Sequence, residues 1–374
     1  MDMRQINVPW RGTKQLDSDT ILKKTIDIVF DREKGSPFWL EFQQKKKLDI
    51  VEEIKTEKDL VKLGSPEEVT QSITYALQNY PISYFVPKCM MKDKSRLMLS
   101  VTGGTTGPEK TVAFDKKNLF YDFGHMGAYF LKLHNFTYQS DGYNLLYAGP
   151  TGNHYVGKSI NRMAESTNGL FFTIDMDTRI FKKYVMEKKY EEIEIYLQHI
   201  MEQILQILNT KKIDCLVTTS RILEELFKYI DVSKLNLKMI MNSGTATSPD
   251  TLKILTEEVY KDSIFFGAYG NAMFGPAFEI PRKKGDYNMR YYSNYPYIQM
   301  QVIKDENSFE TVKYGETGKV MMRRYTPECF IPFYVERDIA ERIAGTEEYG
   351  IMWDGIMNPR LDSSIAENII EGIY

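Results

Sequence analysis

With 374 residues, 43% of them hydrophobic and 26% charged, the chain has ordinary globular composition and enough length for a large core and more than one domain. A net charge of −3 argues against nucleic acid as a partner, and three scattered cysteines, Cys89, Cys215 and Cys329, argue against a disulfide framework and for a reducing compartment. No apolar run approaches about 18 residues, and the start MDMRQINVPWRG is not a signal peptide, so the expectation is a cytoplasmic protein with no membrane partner.

The first 96 residues read mostly as helices. The run QQKKKLD, Gln43 to Asp49, reads as a solvated helix face. In SPEEVTQSITYAL, Ser65 is the N-cap, Pro66 the first helical residue and Glu68 the return partner of a capping box, with Val69, Ile73 and Leu77 along one apolar face. From Leu97 the texture changes. LMLSV, Leu97 to Val101, reads as a strand feeding a glycine-rich loop, and YNLLYAG, Tyr143 to Gly149, and GLFFTID, Gly169 to Asp175, read as buried strands. A long helix follows, with Ile193, Leu197, Ile200, Ile204 and Leu208 on one face. Three more strands come next: IDCLVTTS from Ile213, LKMIMNSG from Leu237 and SIFFGAYG from Ser263. Strands alternating with helices predict a mainly parallel sheet with crossover helices. After Met289 the pattern turns β-rich and predicts a mixed or antiparallel region. No internal repeat or low-complexity linker interrupts the chain.

The loop Thr102-Gly103-Gly104-Thr105-Thr106-Gly107 offers backbone N–H groups with no side chain in the way, and its threonine hydroxyls add donors for an anion. Lys110 supplies charge close by. A nucleotide-binding P-loop would need a second glycine where Glu109 stands, although Gly104 and Lys110-Thr111 are in place.

Residue by residue, Thr102 to Gly107 resembles the phosphate loop of the adenylate-forming superfamily, the acyl-CoA synthetase or AMP-binding enzymes that activate a carboxylic acid with ATP. Other stretches in the same order carry the resemblance further. SGTAT, Ser243 to Thr247, resembles the family's adenine-packing turn, with Gly244 and Thr245. FFGAYGNAMFGPAFE resembles its aromatic-glycine motif, with Tyr269 and Gly270. GETGKVMM, Gly315 to Met322, resembles its Gly-Glu-x-Gly hairpin, and FYVERDIAERI resembles the segment whose aspartate binds the ribose hydroxyls, here Asp338. GSPFW near the N-terminus and the segment GPTGNHYVG, Gly149 to Gly157, are similar to the phenylacetate–CoA ligase branch. The resemblance covers about Ser36 to Asp338.

It implies an α/β fold: a large N-terminal domain with mixed and parallel sheets flanked by helices, and a β-rich C-terminal subdomain. Residues 1–338 would form the AMP-binding domain, 1–96 mostly helical and 290–338 β-rich, with 339–374 as a tail in place of the family's lid domain. It implies ATP or AMP as nucleotide, Thr102 to Gly107 on phosphate, Gly244, Thr245, Tyr269 and Gly270 on adenine, and Asp338 on ribose. It implies an acid, aromatic by the branch's habit, held by the loop containing Gly149, Asn153, His154, Tyr155 and Gly157. The acyl acceptor would be a thiol or amine, such as CoA, a carrier protein or a small amine. Short acyl-protein synthetases of bacterial luminescence, which act on fatty acyl groups in a complex, are a variant of the same theme.

The sequence departs from the family in two places. Where the family follows Tyr-Gly with a hydroxyl residue and a Mg²⁺-binding glutamate, Ala272 and Met273 stand here, and neither offers oxygen to a hard cation. Glu279 is the alternative metal ligand, against a purely structural carboxylate. The family's lid also brings a lysine to the reacting carboxylate. No lysine follows Lys319, and the stretch after Asp338 is short for a domain, so the lid is expected to be missing or reduced to the tail from Trp353, read as a short helix after Asp362-Ser363. Adenylation would then be slow, or would use an internal lysine such as Lys110 or Lys158, or a partner protein supplying the lid's function. A degenerate nucleotide-binding subunit is the alternative reading. His154 reads either as a gate of the acyl pocket or as a structural histidine. His125, His134 and His199 show no metal spacing, Cys329 reads as a buried small residue or an acyl acceptor, and no G-x-S-x-G elbow is present.

Overall fold

A computed structural model describes residues 17–102, 108–117, 126–136, 142–244 and 246–364. Thirteen strands are labelled in chain order: β1 Leu97–Val101, β2 Thr111–Asp115, β3 Leu145–Tyr147, β4 Phe171–Thr173, β5 Cys215–Thr218, β6 Met239–Ser243, β7 Ile264–Asn271, β8 Gly275–Glu279, β9 Arg290–Tyr292, β10 Ile298–Ile303, β11 Thr317–Arg324, β12 Ile331–Ile343 and β13 Gly355–Leu361. β1 and β2 form an antiparallel hairpin, and the other eleven form one sheet in the order β10-β11-β12-β13-β9-β8-β7-β6-β5-β3-β4.

The sheet has two halves. β4, β3, β5, β6 and β7 run parallel, and every further pairing, from β7 to β8 and out to β10, is antiparallel. The parallel half is what crossover helices impose. The helix Tyr155–Ser166 connects β3 to β4, Thr178–Met186 and Tyr190–Thr210 connect β4 to β5, and Ser220–Tyr229 connects β5 to β6. β5 and β6 are buried along their whole length, which explains why both read as continuous apolar runs. The long helix buries Ile193, Leu197, Ile200, Ile204 and Leu208, the face its spacing predicts.

Residues 17–96 are mostly helical. Ser65 Oγ accepts from Glu68 N at 3.2 Å, but the Glu68 carboxylate reaches Lys46 Nζ at 2.6 Å, because the lysine run lies alongside. The helix Pro66–Asn79 docks on β12: Val335 N donates to Thr70 Oγ1 at 3.0 Å, and Thr74 Oγ1 meets Tyr334 Oη at 2.9 Å. Trp39 is fully buried, and its Nε1 donates to Phe330 O at 3.2 Å. These contacts fasten the helical segment onto the antiparallel half.

The expected boundary after Asp338 falls inside β12. Residues 339–343 continue that strand, and β13 lies between β12 and β9 in the sheet. The tail helix expected after Asp362-Ser363 lies beyond residue 364, outside the described residues. Among the described residues, no helix is long and apolar enough to cross a membrane.

Candidate functional site

Parallel strands end together, and the backbone there leaves a crevice that suits ligands. β6 and β7 end at a cavity of about 480 Å³. Thr102, Pro108 and Lys110, Ser243, Gly244, Tyr269 and Gly270, and His154 and Tyr155 are among the residues that line it. Tyr334 to Arg337 of β12, Lys319 of β11, and Ala272 and Met273 after β7 also line it, whereas Asp338 does not.

The β1–β2 hairpin carries the glycine-rich segment. Thr102 N donates to Lys110 O at 2.9 Å and Lys110 N donates to Thr102 Oγ1 at 3.0 Å, so the loop is pinched shut at its base beside the cavity. Gly103, Gly104, Thr105, Thr106 and Gly107 lie outside the described residues, as does Thr245. A strand, β2, follows the loop. A P-loop would be followed by a helix, and the hairpin speaks against that comparison.

Tyr269 Oη donates to Asp338 Oδ2 at 2.9 Å, so the expected adenine and ribose residues meet across β7 and β12. Burial, then the Asp338 charge, holds the Tyr269 phenol well above its ordinary pKa. Gly270 has φ of +150°, and a Cβ there would come within 2.1 Å of Gly275 O, so the β7–β8 hairpin demands glycine. Asn271 Oδ1 shapes the same turn by accepting from Met273 N at 2.8 Å.

The acyl-loop residues divide. His154 and Tyr155 line the cavity; Gly149, Asn153 and Gly157 do not. Asn153 serves through its backbone, accepting from Val101 N at 2.7 Å. Gly157 lets the helix Tyr155–Ser166 approach Tyr147, whose ring would lie 3.0 Å from an added Cβ. Burial, then the Lys182 charge, lowers the His154 imidazole to about 4, so it is neutral at pH 7. Lys110 lines the cavity with an ammonium whose pKa burial lowers, opposed by Glu336.

Glu279 lies elsewhere. Its carboxylate accepts from Gly267 N at 2.6 Å and reaches Arg282 Nε at 2.7 Å, both away from the cavity. Burial pushes it up to about 7 against the pull of Arg282. Among the described residues, no group of three or more His, Cys, Asp and Glu side chains is arranged to hold a metal ion. Ala272 and Met273 are buried apolar groups. His134 is bound to Glu279 O, His199 is exposed on the long helix, and His125 is outside the described residues. Cys329 is fully buried, its thiol pushed up to about 11, and it does not line the cavity.

Sequence reasoning missed Glu336. It lines the cavity, takes a hydrogen bond from Asn271 Nδ2, and is raised to about 7 by burial and by the Asp338 charge. The available signal was its spacing. Residues two apart in a strand share a face, and Glu336 stands two before Asp338. A second missed group is Arg324, which is fully buried and does not itself line the cavity. It donates to Thr326 Oγ1, Ala113 O and Glu328 Oε1, each at 2.9 Å, and to Met273 O, and its guanidinium stacks 3.9 Å from the Phe114 ring. It locks the loop hairpin to the β7–β8 turn.

The sequence matches no family model and no curated protein. The fold, however, is similar to that of 2-hydroxyisobutyryl-CoA ligase. The open form of that enzyme, in complex with 2-HIB-AMP and CoA, superposes with a TM-score of 0.65 at 12% identity, over 92% of this chain and 67% of that one. The postadenylation form with R3-HIB-AMP gives 0.64 at 12% identity, over 92% and 65%. The chain therefore has the fold of an adenylate-forming ligase and spans about two thirds of that enzyme's length.

Proposed function

We propose that the chain binds ATP and a carboxylic acid in this cavity and joins them as an acyl-adenylate for transfer to a thiol or amine. The observation that carries the reading is the convergence, on one cavity of this fold, of the base of the glycine-threonine loop, the Gly244 turn and Tyr269, whose hydroxyl donates to Asp338. Chemically, a carboxylate oxygen attacks the α-phosphorus, the bond from that phosphorus to its bridging oxygen breaks, and pyrophosphate leaves; the acceptor then displaces AMP.

In this reading Thr102 to Gly107 hold phosphate, Gly244, Thr245, Tyr269 and Gly270 hold adenine, and Asp338 exchanges the Tyr269 hydroxyl for ribose hydroxyls. The unsatisfied Ser243 Oγ and Asn242 Oδ1, buried at the end of β6, fit a polar ligand beside Gly244. Neutral His154, with Tyr155, Val156 and Met241, walls the acyl side. Those walls suit an apolar acid. An aromatic acid follows from the resemblance to phenylacetate–CoA ligases, and 2-hydroxyisobutyrate belongs in the same trial because one structural neighbour is a complex with 2-HIB-AMP. Magnesium would rest mainly on the phosphates, with Glu336 as the carboxylate at hand.

Carboxylate-dependent ATP–pyrophosphate exchange tests the reading. Exchange with at least one of benzoate, phenylacetate, 2-hydroxyisobutyrate or a short fatty acid supports it. Absence of both exchange and AMP binding rejects it. The buried Ala272 and Met273 favour a second reading, a nucleotide-binding subunit whose catalysis depends on a partner protein. AMP binding without exchange, with exchange restored by a partner, selects that one.

A further inference from the structure

The wall that β6 gives to the cavity follows the pleat of the strand. Met241 and Ser243, two positions apart, both line the cavity. Asn242 between them does not, and its Nδ2 donates to Thr247 Oγ1 at 2.6 Å. Met241 is a buried apolar group. Ser243 is 7% exposed, and its Oγ is buried with no hydrogen-bond partner among the described residues. A hydroxyl both donates and accepts, and burying one unpaired is a cost that calls for a reason. One strand over, Thr218 at the end of β5 is equally buried, yet its Oγ1 donates to Ala148 O at 2.8 Å. The fold therefore satisfies a hydroxyl at this end of the sheet where nothing else is to meet it, and leaves Ser243 open.

The place of Ser243 along the strand says which part of a ligand it meets. Side chains on one face of a strand repeat about every 6.7 Å, so Ser243 stands that far beyond Met241, toward the turn at Gly244. Met241 belongs with Tyr155 and Val156 to the apolar wall, and Gly244 follows directly on the last residue of β6. With the acyl body against Met241 and the nucleotide at the Gly244 turn, the part of the ligand beside Ser243 is the carbon next to the carboxyl group. Hydrogen or methyl on that carbon leaves the Ser243 hydroxyl unpaired. An oxygen there pairs it.

We propose that Ser243 sets the substrate specificity of this cavity: its hydroxyl hydrogen-bonds an oxygen on the carbon next to the carboxyl group, and the acid is a 2-hydroxy acid with an apolar body. The proposal rests on the cavity being the site of the acid, as argued above, and does not require that the acid then be joined to AMP. A site built around a hydroxyl rejects the analogue that lacks it, because the protein's own polar group is then left buried and unpaired.

The test uses the full chain and Ser243→Ala, titrated calorimetrically with two pairs of acids matched in shape and with AMP. The pairs are 2-hydroxyisobutyrate with 2,2-dimethylpropanoate, and mandelate with 2-phenylpropanoate; in each a methyl replaces the hydroxyl. Wild type is expected to favour the hydroxy acid of at least one pair by roughly tenfold, the range for a buried polar group left unpaired. In Ser243→Ala that preference is expected to fall toward one, through loss of the hydroxy acid, with AMP affinity unmoved. The melting temperature of ligand-free Ser243→Ala is expected to hold or rise, because an unpaired buried hydroxyl is removed. No preference in wild type overturns the proposal, and so does a preference that persists in Ser243→Ala. A variant that loses AMP as much as acid places the hydroxyl on the nucleotide and overturns it too, as does a wild-type chain that binds none of the acids. A lower melting temperature with unchanged affinities means a structural serine, with the same result. Ser243→Cys keeps the size and offers only a weak donor, and its preference is expected to fall between the two. It stands in for Ser243→Ala should that variant not fold, and wild-type selectivity in it then overturns the proposal. ATP–pyrophosphate exchange separates the two readings. A Ser243-dependent preference in binding without exchange defeats adenylation and leaves the specificity assignment standing; exchange without that preference defeats the assignment alone.

Discussion

Glu336 makes the site sensitive to pH in a way that one substitution can isolate. Burial first, and the Asp338 charge second, raise its pKa from 4.5 to about 7, against the opposing pull of Lys110, Asn271 and Arg337. Between those two values the folded chain holds a proton that the unfolded chain has released, so stability falls as pH rises through the window. The contribution is complete below 4.5 and gone above about 7. At 1.36 kcal/mol per pKa unit the difference is on the order of 3 kcal/mol. Glu336→Gln keeps the shape and an acceptor for Asn271 Nδ2 but cannot ionise. Relative to wild type it is expected to be more stable by up to that amount above pH 7, and to converge with wild type near pH 4.5. Urea unfolding of both proteins from pH 4.5 to 8.5 measures this. Glu279, also raised to about 7, is present in both and cancels in the difference. Pyrophosphate affinity should follow the same curve, falling through pH 7 in wild type as Glu336 ionises and less steeply in the variant. A stability difference that is flat with pH, or largest at acid pH, refutes the reasoning.

Asp338→Ala is expected to weaken AMP much more than pyrophosphate, which has no ribose; equal losses in calorimetry would contradict a ribose contact. Thr106→Val removes a hydroxyl donor from the glycine-rich loop and should cost AMP about tenfold or more in affinity, and unchanged binding would remove the loop from the site. Arg324→Met takes the guanidinium away from Glu328, Ala113 and Met273 and should cost about 3–5 kcal/mol in denaturant unfolding, the range for breaking a buried pair. A loss below about 1 kcal/mol would mean that the loop hairpin is held by other contacts.

The parallel half of the sheet was legible because its strands are short apolar runs closed by glycine or polar turns, and LKMIMNSG needs no partner to look buried. β13 was not. It carries Pro359 and the positive-φ Asn358, which deny it the look of a strand, and it exists because Ile356 and Met357 pair with β9 on one side and β12 on the other. Of the site, Tyr269 and Asp338 could be named from motifs, but their hydrogen bond crosses 69 positions of sequence, and nothing local encodes it. The burial of Lys182 was likewise hidden by composition. The residue stands beside Lys183 in TRIFKKYVM, and adjacent lysines read as a solvated face until the helix is seen to turn one of them inward.

β12 explains why the helical segment, the cavity and the residues after Asp338 cannot be treated as separate pieces. Thr70 and Thr74 of the helix Pro66–Asn79 bind it through Val335 N and Tyr334 Oη, and two positions on Glu336 faces the ligand cavity. Asp338 then pairs with Leu361 of β13, while its side chain meets Tyr269 from the other half of the sheet. A strand fixed on both edges holds its side chains in register to within the pleat, because a slip of one residue would turn Glu336 and Asp338 to the opposite face. The positions of both carboxylates therefore depend on β13 and on Arg342, which donates to Asp354 Oδ2 at 2.9 and 2.7 Å across the turn that leads into it. Among the described residues, those after Asp338 do not line the cavity, yet they set the register of the strand that charges it.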